Sequence, residues 1–287
     1  MKDTVKFVSP FSWYAMPMLA CVLASGCDVG AHSTPDAVTC ETAAFCDGFE
    51  SFGAGVKPGA PWTTTEISGT VVVDETRAFN GKRSIKCSTT GTASYKSVLI
   101  AHPGVQALRG TSDIVYGRMM YWLDAAPTGD VHWTFIAGEG LVPGQTYRAT
   151  LRYGGQHPIT NGATFAGSQL MANYETPDSH ATPPIGPASD CWQHSDQKVV
   201  PAGRWTCAAW SFDTANDEMR FWLDGTELAD MHVVKKGEGC VSQPADYVWD
   251  APEISKMYFG WESYQTDDSR TIWIDDIAID TKPIACP

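Results

Sequence analysis

Three segments between residues 131 and 175 carry polar side chains at regular intervals among apolar neighbours. They read VHWTFIAGEG, YRATLRYGGQ and QLMANYE, and their polar members include His132, Arg148, Arg152, Gln156, Asn173 and Tyr174. Successive side chains of a β-strand point to opposite faces of the sheet, so these spacings can bring several polar groups to one surface. A groove that binds a saccharide requires such a surface.

The chemistry that these residues suit best is β-elimination at a uronic acid. The reaction removes the proton at C5, next to the carboxylate, and expels the oxygen at C4, so the enzyme must stabilise the developing enolate. Arg152 offers a two-pronged guanidinium, and Gln156 and Asn173 offer neutral donors. Histidine titrates near neutrality, which makes His132 the candidate base.

A tyrosine is the candidate for the second proton transfer. Tyr174, Tyr258 and Tyr264 can each donate a proton to the leaving oxygen, or accept one if a neighbouring cation favours the phenolate. Tyr258 and Trp261 also suit stacking on sugar rings, although aromatic side chains on strands frequently belong to the core. Strand alternation places Arg148 on the face of Arg152, where it can bind substrate.

Other enzyme classes find less support in the sequence. A glycoside hydrolase needs two carboxylates roughly 5 to 9 Å apart. The Glu-x-Asp-x-Glu strand of common glucanases is absent, and Glu139 and Glu175 stand alone at strand ends or in loops. The chain also lacks a phosphate-binding loop, a Gly-x-Ser-x-Gly elbow and the His-x-x-x-His or Cys-x-x-Cys metal spacings.

The elements that must position these residues are strands. The 287 residues include 26 Gly, 18 Pro and 11 Trp, which favours short strands, turns and aromatic surfaces over helices. About a dozen strand patterns follow one another at the spacing of a β-sandwich, and nothing of length reads as a helix. Residues 176–200 are rich in Pro, Ser and Asp and predict a long loop. The formal net charge of −13 argues against nucleic acid as a partner.

The N-terminus predicts export. Residues 1–27 combine two lysines, an apolar stretch and the run LASGC, which resembles a bacterial lipoprotein signal with Cys27 as the lipidated residue. An ordinary secretory signal is the alternative, and a membrane span is third because Pro17 breaks a short apolar run. Residues 28–43 then form a tether and 44–287 the folded domain. We expect an exported monomer, an outer-membrane lipoprotein, cell-surface or secreted protein whose only membrane contact is Cys27.

Export permits disulfide bonds. Seven cysteines follow Cys27, so at least one is expected to be free or bonded outside the chain. Cys87 is the candidate, because RSIKCST reads as a strand in which a small buried sulfur packs well. Cys40 or Cys46 is expected to bond Cys286, and two of the remaining three cysteines to close a long loop. Those three are Cys191, Cys207 and Cys240.

Two resemblances narrow the fold. Trp205, Trp210, Asp213 and the run Leu223-Asp224-Gly225 form a pattern similar to concanavalin-like jelly rolls, which are all-β sandwiches of two antiparallel sheets. More narrowly, residues 44–281 resemble secreted proteins typified by a fungal cellulose-induced protein and related to glucuronan lyases. CDGFESF, RAFNGKRS, LRYGGQ and IWIDDIAI carry this resemblance.

The narrower resemblance implies a groove with Arg and Gln four residues apart, which Arg152 and Gln156 match, whereas Thr150 stands where a histidine is expected. It also implies a structural calcium ion away from the groove. The positions that match its ligands are Glu50, Asn80, the carbonyl of Arg77, and Asp275 or Asp276. Calcium prefers oxygen ligands of this kind, and strand alternation does not choose between the two aspartates.

Together these observations predict an exported, calcium-binding jelly roll that acts on polysaccharide, as a lyase on a uronic-acid polymer. The alternative is a non-catalytic carbohydrate-binding protein on the same fold. A third possibility is an adhesive or scaffolding lipoprotein whose groove is vestigial.

Overall fold

The computed structural model describes residues 37–159, 167–176, 189–241 and 243–287. The predicted signal with Cys27, the first part of the predicted tether and most of the Pro-rich stretch after Thr176 lie outside the described residues. Within the described ranges, no helix has the length and apolar character needed to cross a bilayer.

The described chain is built almost entirely of strands. They are β1 (Phe45–Asp47), β2 (Thr63–Ile67), β3 (Gly69–Asp74), β4 (Ser84–Thr89), β5 (Lys96–His102), β6 (Ile114–Leu123), β7 (Val131–Leu141), β8 (Arg148–His157), β9 (Gln169–Glu175), β10 (Asp190–Val199), β11 (Trp205–Asp213), β12 (Glu218–Leu223), β13 (Thr226–Glu227), β14 (Val233–Val234), β15 (Gly239–Val241), β16 (Glu253–Ser263) and β17 (Thr271–Asp280). A short helix, α1 (Val105–Arg109), follows β5, and a single 3-10 turn (Ala229–Met231) precedes β14.

The strands form two antiparallel sheets. Sheet I has the order β13-β12-β11-β6-β17-β4-β3, with β1 added on β17 and β14 on β12. Sheet II has the order β15-β10-β9-β8-β7-β16-β5-β2. The predicted class, an all-β jelly-roll sandwich of two antiparallel sheets, is confirmed.

Aromatic side chains fill the space between the sheets. Trp133 of β7 stacks on Trp261 of β16 with ring centroids 4.8 Å apart, and Tyr153 of β8 lies 4.6 Å from Phe221 of sheet I. Large aromatic surfaces removed from water contribute strongly to a core of this kind. Because these residues point inward, the alternate side chains of β7 and β8 point away from the core and are available to a site.

Residues 190–199 correct the prediction of a loop from 176 to 200, because they form strand β10. This strand pairs with β9 on one side and with β15 on the other. Cys191 faces the core, and Asp190, Trp192 and His194 face the opposite surface. The outward polar residues gave the segment the composition of a loop although residues 190–194 pair with β9.

The disulfide pairing also differs in part from the prediction. The bonds are Cys40–Cys46, Cys191–Cys240 and Cys207–Cys286. The expected link from Cys40 or Cys46 to Cys286 is wrong, because Cys286 lies against β11. The Cys191–Cys240 bond is one of the pairs that the sequence left open, and Cys87 is free and buried as predicted.

The described end of the predicted tether is attached to the domain. The Val38 N–H donates to the carbonyl oxygen of Pro283 at 2.8 Å, and the Ala285 N–H donates to the Val38 carbonyl oxygen at 3.0 Å. Backbone pairing of this kind orders the chain, so residues 37–43 do not act as a free tether.

Candidate functional site

A cleft of about 550 Å³ opens on the face of sheet II that points away from the core. Strands β7 to β10 form its floor, and the segment that follows β16 forms one wall. Its lining residues are His132, Trp133, Thr134, Arg152, Gly154, Gln156, Met171, Asn173, Glu175, Asp190, Trp192, His194, Val241, Tyr264 and Gln265. The structure therefore brings His132, Arg152, Gln156, Asn173 and Tyr264, all predicted from sequence, into one concavity.

Arg152 occupies the middle of the floor and is held from one side. Its Nη1 donates to Oε2 of Glu175 and, at 3.4 Å, to Oδ1 of Asn173. Among the described residues, all hydrogen bonds of Arg152 leave from Nη1. The Nε and Nη2 edge, which forms a two-pronged contact with a carboxylate, is thus left to a ligand.

Asn173 holds Arg152 and does not serve as a substrate donor, which corrects the role predicted for it. Its Nδ2 donates to Oδ1 of Asp190 at 2.6 Å and to the carbonyl oxygen of Cys191 at 2.9 Å. Both protons of the amide are therefore used within the protein. Asp190 fixes Asn173, and Asn173 in turn fixes the guanidinium.

Tyr264 lies on the wall next to β7. Its backbone N–H donates to the carbonyl oxygen of His132 at 3.0 Å, which brings the phenol into the cleft. The hydroxyl donates to Oε2 of Glu262 at 2.9 Å and lies 3.0 Å from Oγ1 of Thr134. Glu262 as a carboxylate can only accept, so Thr134 donates to the phenol oxygen.

The charge state of the pair follows from burial and from the neighbouring charges. Burial raises the pKa of Tyr264 well above its usual value; Arg152 and Thr134 lower it, and Glu262 adds to the rise. Burial lowers the pKa of Arg152. Tyr264, Glu175 and Glu262 raise it by a larger amount, so the net shift is upward. Tyr264 is therefore a neutral proton donor and Arg152 a permanent cation.

His132 of β7 lies beside Gln156 of β8 in the cleft. The His132 Nε2 and the Gln156 Oε1 are 3.1 Å apart, and Gln156 Nε2 donates to the carbonyl oxygen of Pro158 at 3.3 Å. This second bond fixes the orientation of the amide, so its oxygen faces the histidine. His132 consequently carries its proton on Nε2 in the neutral form and presents the lone pair of Nδ1.

Four other predicted residues lie outside the cleft. Tyr174 and Trp261 are buried in the core, Tyr174 stacked on Trp249 at 5.0 Å, so their predicted roles are corrected. Tyr174 follows Asn173 directly on β9 and must face the opposite side of the sheet. Arg148 and Tyr258 do not line the cleft; Arg148 pairs with Glu139 at 3.3 Å.

The sequence analysis missed the residues that β10 contributes to the cleft. Its prediction that Glu175 stands alone is also wrong. Glu175 pairs with Arg152 and lies directly across from Asp190 in the β9–β10 register. Asp190, Trp192 and His194 all line the cleft. Their two-residue spacing is the signal of a strand with one polar face, and it was present in the sequence.

Comparison with known proteins identifies the family. The model of the Cip1-like core domain of the polysaccharide-lyase-like proteins matches residues 49–282. The chain belongs to the Cip1-like family. Membership of this family places it among polysaccharide-acting proteins.

Solved structures with the same sandwich include "Cellulose induced protein, Cip1", with a TM-score of 0.56 and 24% identity over 85% of this chain and 100% of that chain. The alginate lyase AlyC3 matches with a TM-score of 0.42 and 10% identity over 69% and 74% of the two chains. The botulinum neurotoxin serotype D/C binding domain matches with a TM-score of 0.44 and 8% identity over 78% and 44%. No curated protein matches the sequence significantly.

The Cip1-like resemblance predicted a calcium ion near the junction of β1 and β17. One of the predicted ligands, Asp275, instead accepts hydrogen bonds from the backbone. Asp275 is fully buried, and its carboxylate accepts backbone N–H groups of Phe79 at 2.8 Å, Asn80 at 3.1 Å and Asp276 at 2.8 Å. Burial raises the pKa of Asp275, and these hydrogen bonds oppose part of the rise. The resulting pKa is about 6. Asp275 therefore anchors the loop that carries Asn80.

Asp276 lies beside Glu50 and Asn80, and among the described residues its carboxylate accepts fewer hydrogen bonds than that of Asp275. Burial raises the pKa of Asp276, and the charge of Glu50 adds to the rise, whereas Arg118 and a hydrogen bond from Asn80 lower it. Glu50 lies in the turn after β1, not on the predicted first strand, and its Oε1 accepts the N–H groups of residues 82 and 83.

The carboxylates of Asp276 and Glu50 are oxygen ligands of the kind that calcium prefers, whereas the Asn80 amide donates to Asp276 and its Oδ1 accepts the Gly81 N–H at 2.9 Å. No cluster of three or more His, Cys, Asp or Glu suited to a metal occurs in the described chain, so backbone carbonyls would complete the site. The Arg77 carbonyl already accepts from Ser84 Oγ at 2.6 Å, and the Arg77 guanidinium stacks on Trp122.

Proposed function

We propose that this protein is an exported lyase that cleaves uronic-acid polymers by β-elimination in the cleft of sheet II. The observation that carries the proposal is Arg152, a half-buried cation of the cleft that makes all its hydrogen bonds to the described residues through Nη1, beside a neutral phenol and an imidazole. Export is supported by the three disulfide bonds, which are characteristic of oxidising compartments.

The first step is binding of the uronate carboxylate by Nε and Nη2 of Arg152. Two parallel hydrogen bonds and a full positive charge withdraw electron density from the carboxylate, which makes the adjacent C5 proton more acidic. The charge that develops on the carboxylate in the transition state faces a guanidinium that Glu175 and Asn173 already hold in place.

His132 is the base in this proposal, as the sequence predicted. Its Nδ1 accepts the C5 proton, and the electron pair of the C5–H bond forms the C4–C5 double bond. The C4–O bond breaks, and its electron pair leaves with the oxygen. Gln156 stabilises the resulting imidazolium by accepting from Nε2.

Tyr264 is the acid. Its hydroxyl turns from Glu262 to the leaving oxygen and donates its proton, and Arg152 and Thr134 stabilise the phenolate that remains. The raised pKa of Tyr264 favours the neutral phenol as the acid over a phenolate as the base. Trp192, half-buried on β10, offers a ring on which a neighbouring sugar can stack.

Incubation of the domain with glucuronan and with alginate tests this function. The expected result is a rise in ultraviolet absorbance from the unsaturated product, without consumption of water. A protein that binds these polymers and yields no unsaturated product would be a carbohydrate-binding protein, the alternative reading of the sequence. A product with a saturated non-reducing end would indicate hydrolysis and would also overturn the proposal.

We further propose that Asp276, Glu50, Asn80 and backbone carbonyls bind a structural calcium ion. A ligand that binds only the folded state raises stability, and calcium at about one hundred times its dissociation constant should raise the Tm by about 5 to 10 °C. Thermal unfolding with and without calcium measures this shift. The same shift in Asp276→Asn would contradict the assignment, and Asp268→Asn, at an exposed side chain, is the matched control.

A further inference from the structure

His194 is a second imidazole of the cleft, and it is better oriented than the first. Its Nδ1 lies 2.6 Å from Oε2 of Glu238, and the residue is only 6% exposed. Its Nε2 is buried without a hydrogen-bond partner in the described chain, although the residue lines the cleft. A buried polar atom without a partner requires an explanation, and a ligand atom is one.

The contact with Glu238 determines which nitrogen of His194 can react. A carboxylate accepts hydrogen bonds and does not donate them, so Nδ1 carries the proton, and Nε2 of the neutral ring has a lone pair. This arrangement of an imidazole oriented by a carboxylate is the one that general bases use.

Glu238 is itself fixed by its surroundings. Its N–H donates to the carbonyl oxygen of Trp192 at 2.9 Å, and its Oε1 accepts from Gln193 at 3.5 Å. The next two residues enter β15, which the Cys191–Cys240 disulfide joins to β10.

The sheet register places His194 across the cleft from His132 and Tyr264. His194, Met171, Gly154 and Thr134 are successive partners on β10, β9, β8 and β7. Three strand spacings separate the Cα atoms of His194 and Thr134, a distance of about 14 Å. Arg152 lies on β8 between the two walls, and Gly154 leaves the floor beside it open.

We propose that His194 is a second catalytic base, which removes the C5 proton from uronates whose C5–H bond points to the β10 wall. This inference rests on the proposed lyase function. Two uronates of opposite configuration at C5 can both place the carboxylate on Arg152 and the leaving oxygen at Tyr264. Their C5–H bonds then point to opposite walls, one toward His132 and the other toward His194. Met171, an unbranched and adaptable side chain next to His194, moves aside as the sugar enters.

The two bases correspond to the two configurations at C5. In D-uronates such as mannuronate, H5 and O4 lie on the same side of the ring, so base and acid must share a wall, as His132 and Tyr264 do. In L-guluronate they lie on opposite sides, which requires a base across from Tyr264. The Nε2 of His194 then takes the proton, the C5–H electron pair forms the double bond, and Tyr264 protonates the departing O4.

Rates on polymannuronate and polyguluronate, which differ in configuration at C5, test the proposal. His194→Gln should shift the ratio of the two kcat/KM values about 100-fold toward polymannuronate, because general bases contribute effects of this size. His132→Gln should shift it in the opposite direction. The control is His232→Gln, which breaks a similar His–Glu pair, 2.9 Å long, outside the cleft.

Glu238→Gln provides a second variant at a partly exposed side chain, in case His194→Gln unfolds. It should shift the ratio in the same direction by about tenfold through kcat, with KM little changed, since a positioning residue acts on proton transfer. An unchanged ratio in both variants, or a wild-type protein that cleaves only polymannuronate, would overturn the role of His194 and leave the lyase function standing. A wild-type protein that cleaves glucuronan but no polyguluronate would likewise overturn only the role of His194. A wild-type protein that cleaves none of the three polymers would overturn the lyase function, and the role of His194 with it.

Discussion

Arg152→Ala should lower kcat/KM on polyuronates by at least about 1,000-fold, which corresponds to about 4 kcal/mol of transition-state stabilisation. The reason is that Arg152 is the cation of the cleft that neutralises the carboxylate while the enolate forms. The formation of unsaturated product under single-turnover and steady-state conditions measures the loss. Arg152→Lys keeps the charge without the planar fork and should fall between the wild type and the alanine variant.

The loss must be separated from a loss of structure, because Arg152→Ala removes the Arg152–Glu175 ion pair. Thermal unfolding of each variant gives that control. Arg204→Ala removes the same type of side chain from an exposed ion pair with Asp224, next to β11 and β12, and should keep wild-type activity. An Arg152→Ala protein that is folded and retains more than about a tenth of the activity would exclude Arg152 from the site.

Tyr264→Phe should lower kcat by about 100- to 10,000-fold with little change in KM, because the ring stays in place and only the acid is lost. The pH profile gives an independent test. The pKa of Tyr264 is raised, so the phenol stays protonated through the alkaline range. The wild-type rate should therefore not fall near pH 10, about where an ordinary tyrosine ionises.

Tyr116→Phe is the matched control for this experiment. Tyr116 lies on β6 of sheet I, away from the cleft, so removal of its hydroxyl should not change the rate. A Tyr264→Phe protein that cleaves polyuronates at the wild-type rate would show that another group, or solvent, protonates the leaving oxygen.

Strand alternation was sufficient to predict one side of the cleft. It placed His132 with Thr134 and opposite Trp133, and it placed Arg152 and Gln156 on one face of β8, as the structure has them. The same rule, applied strictly, also excludes Tyr174, since adjacent residues of a strand cannot share a face with each other.

The other side depends on which strands become neighbours, which alternation does not specify. Glu175 meets Arg152 because β9 lies beside β8, and Asp190 meets Asn173 because β10 follows in the sheet. The His194–Glu238 contact joins residues 44 positions apart through the pairing of β10 with β15. Local sequence carries no information on such long-range pairings, and the Pro- and Ser-rich composition around residue 180 concealed β10.

The chain of contacts from Asp190 through Asn173 to Arg152 has a consequence for the thermodynamics of binding. A free arginine side chain loses about 2 kcal/mol of rotamer entropy when it is immobilised. In this protein most of the rotamer entropy of Arg152 is lost during folding, because the guanidinium is already confined before the polymer binds. Affinity for a uronate carboxylate therefore increases without added contacts.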